Sequence, residues 1–379
     1  MSRIPAVHRF AVLVIGLSIL VTSTVATAVA EPLDLQTQRR FDQTVAKGIA
    51  FLLTQGRAED GSYSAASGPA VTALVTTALL RNGRSPSDPA IAPSLAYLQR
   101  FAQPDGGIYR ENSLYRNYET CLSMLCFREA NQDGRYNDLI AKANQFVKGI
   151  QWGAEEDSDR SAPAFGGAGY GNSKRPDLSN TSFFIEALRS TGDAADSEAI
   201  KNALLFVSRC QNLESEFNDT PFAAKNPDGG FYYTAAAGGQ SQAGPTETGG
   251  LRSYGSMTYA GLKSLIYAGL GPDDPRVKAA TTWLQRNYRL DTNPGMGDSG
   301  LYYYYHTFSK TLSVLKQDTF VDANGKSHNW RAELIETLAQ KQRPDGSWVN
   351  ENSRWLEGDA NLVTAYALLA LSHTKVATP

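Results

Sequence analysis

Two side chains stand out as candidate acid–base groups. Glu119 sits at the start of an apolar, helix-like stretch running from Tyr118 to Phe127. A carboxyl at that place could take part in acid–base chemistry, and a structural or pore-rim role is the simpler account. His306 closes the run Tyr302-Tyr303-Tyr304-Tyr305. An imidazole there could act as a general base or a metal ligand. A zinc site, however, needs several ligands, and a lone histidine is a poor one, so a cavity or core imidazole is the simpler account. The acidic run Glu155-Glu156-Asp157-Ser158-Asp159-Arg160 lies in polar surroundings and reads as a solvated loop. Glycoside chemistry needs two facing carboxylates. Glu119, Glu186, Glu247 and Asp359 are available, but nothing in their spacing says that any two converge. Asp322-x-Asn324-Gly325 with Glu333 imitates a calcium loop, yet its glycine comes too early and the third acidic ligand is missing. No phosphate loop, serine-nucleophile elbow or HExxH motif occurs.

The elements that must position these residues are repetitive. A turn is written four times: EDGSY at 59–63, PDGGIY at 104–109, PDGGFY at 227–232 and PDGSW at 344–348. Each follows an apolar, helix-periodic run ending near a glutamine. The anchors Gln55, Gln103, Gln151, Gln211, Tyr288 and Gln342 recur at intervals of 48 to 77 residues, the signature of a repeat architecture. The proline cannot continue the preceding helix. The aspartate accepts from an amide two residues on, and Gly61, Gly106, Gly229 and Gly346 supply a positive φ. The aromatic that follows (Tyr63, Tyr109, Tyr232, Trp348) is thrown back against the neighbouring unit. The glutamine is placed to bond exposed backbone at a helix end. A joint is needed in every unit and a catalytic site once, so the recurrent turn reads as architecture.

Each unit reads as two helices. The first opens at a capping signal, as at Ser87-Asp88-Pro89, Asp196-Ser197-Glu198 and Asp273-Asp274-Pro275. The second is more apolar: Ala70–Leu80, Tyr118–Phe127, Ser182–Leu188, Met257–Ile266, Thr311–Leu315 and Leu362–Leu371. A threonine stands near most of these starts: Thr72, Thr120, Thr181, Thr258, Thr307 and Thr364. Six such pairs must stack to bury their faces, and a ring protects the ends. The expected fold is all-α: an α6/α6 toroid of six inner and six outer helices, forming one domain over 31–379. The Gly-rich stretch 235–250 reads as a long surface loop at one mouth.

The N-terminus predicts export. Arg3 and Arg9 precede and flank an apolar run, Phe10–Leu20, followed by Ala28-Val29-Ala30. This is the pattern of a cleavable signal peptide over 1–30, and its apolar core of about 16 residues is short for a membrane span. A retained anchor is the alternative. Cleavage takes Arg3 and Arg9 from the 36 basic residues, leaving 34 against 38 acidic ones, a net charge of −4. No basic stripe exists, which argues against nucleic acid. Cys121, Cys126 and Cys210 are too few for a disulfide framework and read as small buried side chains.

The stretches KGIAFLLTQGRAEDGSY, AYLQRFAQPDGGIY and TLAQKQRPDGSW resemble the "QW" repeats of squalene–hopene cyclases and the related repeats of protein prenyltransferase β-subunits. The resemblance covers nearly all of the chain beyond residue 30. It implies the same toroid, with a central cavity that in that family holds isoprenoid chains. The family's catalytic sets do not transfer. Protonating cyclases carry D-x-D-D, whereas 157–160 gives D-x-D followed by arginine. The prenyltransferase zinc site would place an aspartate and a cysteine where this chain has Ser253-Tyr254-Gly255, although Tyr304-Tyr305-His306-Thr307-Phe308 is similar to the histidine-bearing stretch. The thioester motif of related complement-type toroids is also absent.

These readings lead to an exported toroid binding an apolar lipid or isoprenoid, with no cofactor and no metal. The alternatives are a divergent squalene-type cyclase, a glycan-processing enzyme and a protein-binding scaffold. Any membrane association would not use a retained transmembrane helix. The expected cavity or ligand-binding residues are Thr72, Asn117, Asn180, Tyr254, Tyr302, Tyr303 and Asn361, with Glu119 and His306 as candidate catalytic groups.

Overall fold

The computed structural model describes residues 33–153, 159–171 and 175–375; the N-terminal segment read as a signal peptide lies outside them. Twelve α-helices occur among the described residues. Six are outer: α1 (Leu35–Phe51), α3 (Ala92–Gln99), α5 (Asn137–Gly149), α7 (Glu198–Arg209), α9 (Pro275–Arg286) and α11 (Trp330–Lys341). They alternate with α2 (Pro69–Arg81), α4 (Arg116–Ala130), α6 (Leu178–Ser190), α8 (Gly255–Tyr267), α10 (Leu301–Val314) and α12 (Ala360–Ser372). Each of these packs on the next, and α12 returns to α2, so the inner helices close a ring. The fold is an all-α toroid. Its sheet content among the described residues is one two-stranded ribbon, β1 (Phe320–Val321) and β2 (Ser327–His328), in the connection from α10 to α11.

Burial follows layer. Helix α12 is buried at nearly every position from Leu362 to Leu371, whereas α5 buries a single stripe of Ile140, Ala143, Phe146 and Val147. The expected helix bounds shift most at α10. Helix α10 begins at Leu301, well before the expected Thr311, because Gly300 takes a left-handed conformation (φ 65°) and starts the helix under the tyrosine run. β-Propensity of consecutive aromatics conceals that start in the sequence.

The repeated turns knit the ring. Asp105 Oδ1 accepts from the Gly107 amide at 3.0 Å, and Asp345 Oδ1 from the Ser347 amide at 3.0 Å. Gly106 (φ 92°) and Gly346 (φ 90°) are constrained twice. A Cβ on Gly106 would lie 2.8 Å from the Lys142 carbonyl of α5, and one on Gly346 would lie 2.4 Å from the Lys47 carbonyl of α1. The glutamines bridge units. Gln211 Nε2 donates to Gly229 O (2.9 Å) and to Arg276 O of the next outer helix (2.8 Å). Gln342 Nε2 donates to Gly346 O and to Thr44 O, both at 2.9 Å, and so ties the last turn to the first helix. Trp348 is fully buried and donates from Nε1 to Leu338 O at 2.8 Å.

The helix-start threonines explain how the inner layer is registered. The Oγ1 atoms of Thr72, Thr120, Thr181, Thr258 and Thr364 accept from the backbone amides of Tyr63, Ile108, Ala168, Phe231 and Trp348, at 2.9 to 3.1 Å. Each bond satisfies a buried amide just past a turn, a group that would otherwise cost about 1–3 kcal/mol. Thr307 departs from this pattern and bonds Tyr303 O within its own helix. No helix of the described residues is long and apolar enough to cross a membrane. Cys121, Cys126 and Cys210 are free and buried.

Candidate functional site

The inner helices run in the same sense, with their first turns gathered at one mouth of the ring. A cavity of about 430 Å³ opens there. It is lined by early residues of every inner helix, including Val71, Leu74, Tyr118, Phe183, Met257, Tyr303 and Tyr366, and by the loops that precede them. Nine aromatic side chains contribute: Tyr115, Tyr118, Tyr170, Phe183, Tyr233, Tyr254, Tyr303, Trp355 and Tyr366. Tyr118 and Phe183 meet edge to face with centroids 5.7 Å apart, and Tyr303 and Tyr366 do so at 5.9 Å. Such packing presents several π-faces to one volume. Burial raises the phenols of Tyr118, Tyr254, Tyr303 and Tyr366, so all four stay neutral. At the rim, Tyr115, Trp355 and Leu356 are exposed, and Trp355 and Leu356 are held at φ 57° and 65°.

Two carboxylic acids line this wall. Glu119, on the first turn of α4, is 1 % exposed. Its Oε2 accepts from the Arg110 amide at 2.9 Å. Gly68 leaves room for the other oxygen, since a Cβ there would lie 2.6 Å from Oε1. Burial raises the Glu119 carboxyl above its ordinary value, against the lowering effect of the Arg110 amide and the Ser113 hydroxyl. Glu357 has a different task. Its Oε1 accepts from the Tyr303 amide (2.8 Å) and its Oε2 from Asn350 Nδ2 (2.7 Å), so it caps α10. Burial raises it too. Asp177 caps α6 through the Asn180 amide (2.9 Å) and, although outside the lining, is pushed up to about 6 by burial.

Of the residues expected to line the cavity, Tyr254 and Tyr303 are on its wall. Tyr302 is buried elsewhere, edge-on to Tyr305, because the lumen-facing stripe of α10 runs through Tyr303. Thr72 is occupied with the Tyr63 amide, Asn117 Nδ2 donates to Gly169 O (2.8 Å) and Asn180 Nδ2 donates to Asp177 (2.8 Å). Asn361 Nδ2 donates to Gly56 O and Ser64 Oγ. These polar residues at helix starts hold the loops in place and do not line the cavity.

His306 lies one turn below Tyr303, 4 % exposed, its ring stacked on Tyr366 at 5.8 Å and its Nδ1 without a partner. Burial pushes it down to about 3, so it is neutral. Beside it, Lys263 Nζ and Lys310 Nζ converge on Glu186, at 2.6 and 2.9 Å. Burial alone would raise Glu186, but the two ammonium groups outweigh it and hold the carboxyl well below its usual range. Sequence reading named Glu186 without its partners, and it missed Glu357, Asp177, Lys263 and Lys310. The available signals were acidic residues just before helices and lysines within apolar helices.

Asp159, the described end of the acidic run, accepts from Ser161 in an exposed turn. Among the described residues, no group of three His, Cys, Asp or Glu could hold a metal ion.

Several solved structures share this architecture. Type II terpene cyclase MstE from Scytonema, in a variant bound to geranylgeranyl dihydroxybenzoate (substrate), aligns with a TM-score of 0.55 at 16% identity, over 89% of this chain and 98% of that one. A variant bound to merosterolic acid A (product) aligns at 0.54 and 16%, over 90% and 99%. A protein from Actinoplanes aligns at 0.50 and 14%, over 88% and 99%. No protein-family model matches the chain, and no curated protein matches it by sequence. The chain therefore carries a terpenoid cyclase-like fold; at these identities the likeness reaches no further than the fold.

Proposed function

We propose that the protein binds an apolar, isoprenoid-type ligand inside the ring. The observation that carries this reading is the cavity of about 430 Å³, walled by nine aromatic side chains and ringed by the starts of the inner helices and the loops before them. Its size and lining suit a flexible hydrocarbon, for which burial supplies roughly 25 cal/mol per Å² and aromatic faces add contact. The fold neighbour bound to geranylgeranyl dihydroxybenzoate fits the same class. Native mass spectrometry of the purified protein tests the reading. The expected result is an adduct of a co-purifying or added isoprenoid that disappears in Leu74→Trp, which fills the cavity. Absence of any adduct from wild type, across isoprenoids offered in excess, would overturn it.

A second reading is favoured by Glu119. A carboxyl kept towards its protonated form on an aromatic wall can donate a proton to a terminal alkene, and the π-faces stabilise the resulting carbocation. Ring closure forms C–C bonds at the expense of C=C bonds, and loss of a proton ends the sequence, so the product is an isomer of the substrate. The expected outcome is conversion of a linear polyprenyl compound to a cyclic isomer of equal mass, lost in Glu119→Gln while binding persists. Full turnover by Glu119→Gln would exclude Glu119 as the donor. Export belongs to the same proposal, and N-terminal sequencing of the mature protein checks it: cleavage after Ala30 is expected.

A further inference from the structure

The lumen below the cavity is filled by charge. Helical spacing from the lining residues leads straight to it: Phe183 to Glu186, Ser256 to Lys263, Tyr303 to His306 and Lys310, Leu74 to Arg81, and Tyr366 to His373. Glu186 receives both lysines, Arg81 Nε reaches Glu129 Oε1 at 2.6 Å, and Arg81 Nη1 lies 3.5 Å from His373 Nε2. These groups abut the deepest lining residues. The Lys263 ammonium stands 5.7 Å from the Phe183 ring centroid, and His306 stacks beneath Tyr366.

We propose that the Glu186–Lys263–Lys310 cluster is the floor that fixes the depth of the cavity and so limits the length of the chain it accepts. The inference rests on the isoprenoid reading above. An apolar tail cannot pass the cluster, because parting either lysine from Glu186 would leave buried charge unpaired. The chain must stop at Phe183 and Tyr366. Beyond that length each further carbon stays at the mouth in water and adds no affinity, whereas a deeper lumen would keep adding it.

The test is a binding series of linear prenyl alcohols of increasing length, followed by quenching of intrinsic fluorescence, on the full-length protein. Wild-type affinity should climb with each isoprene unit and then level off. In Glu186→Ala/Lys263→Ala/Lys310→Ala the plateau should move to a longer alcohol, with affinity for the first alcohol beyond the wild-type limit rising about tenfold or more. Should the triple variant fail to fold, Lys310→Ala keeps the Glu186–Lys263 pair and should show the same shift in smaller degree. An unchanged plateau in the folded variants would overturn the floor while leaving the cavity reading intact. A wild type that binds none of the alcohols would remove both.

Discussion

The two halves of the lumen are made by the same six helices and hold opposite chemistry. The mouth half collects first-turn residues and is aromatic, with Glu119 and Glu357 on its wall. The floor half collects residues one and two turns later and holds Glu186, Lys263, Lys310, Arg81 and two neutral histidines. Parallel alignment gives a physical reason. Each helix carries roughly half a positive charge at its N-terminus and half a negative charge at its C-terminus. Six N-termini at the mouth favour carboxylates, as the caps at Asp177, Glu357 and Asp359 show. Six C-termini at the far end favour the cations gathered there. The cavity at the mouth is thus left for an apolar ligand, with the paired charges of Glu186, Lys263 and Lys310 beneath it.

The sharpest way to break this contrast is in the floor. Glu186→Leu leaves two buried lysines without their carboxylate and should cost about 3–5 kcal/mol, read by urea unfolding. Glu186→Leu/Lys263→Met/Lys310→Met should recover most of that loss, since an apolar cluster of similar volume replaces the charges. A single variant as stable as wild type would show that the floor charges are not paired as described.

Asp177 sharpens the comparison at the mouth. Its folded value of about 6 lies above the ordinary 3.8, so the folded state holds the proton more tightly between those limits. Stability from this group is therefore present below about pH 4 and falls as pH rises to about 6, by roughly 3 kcal/mol. Asp177→Asn keeps an acceptor for the Asn180 amide and removes this slope. The difference between the two thermal-stability curves should widen across that window and stay flat above it.

Filling the cavity should separate binding from stability. Leu74→Trp should weaken isoprenoid binding by about 100-fold, measured by fluorescence titration, while changing unfolding by no more than about 2 kcal/mol. The smallest effect on stability is expected of Glu119→Gln. Because burial raises Glu119, ionisation opposes folding as pH rises through its ordinary range. The amide should leave stability within about 1 kcal/mol of wild type and slightly favour it at alkaline pH, which calorimetry would resolve.

Much of this architecture was legible in the chain itself. The turns with Gly106 and Gly346 fix a positive φ and a close backbone approach through local chemistry alone, and the apolar period of the inner helices requires burial on several sides. Those are short-range constraints, so sequence by itself determined an all-α toroid and directed attention to the inner-helix starts. It also singled out Glu119 there, and Tyr303 within the tyrosine run. What it could not assign was the partner of each polar residue. Thr72, Asn117 and Asn361 are chemically able to face a ligand, and only the tertiary structure sends them to loop backbone. Tyr302 and Tyr303 are neighbours of the same type, and a rotation of one residue about α10 decides which one meets the cavity. Glu186, Lys263 and Lys310 come from three successive inner helices, and their convergence depends on how α6, α8 and α10 are rotated about their axes when they pack, which no local spacing encodes.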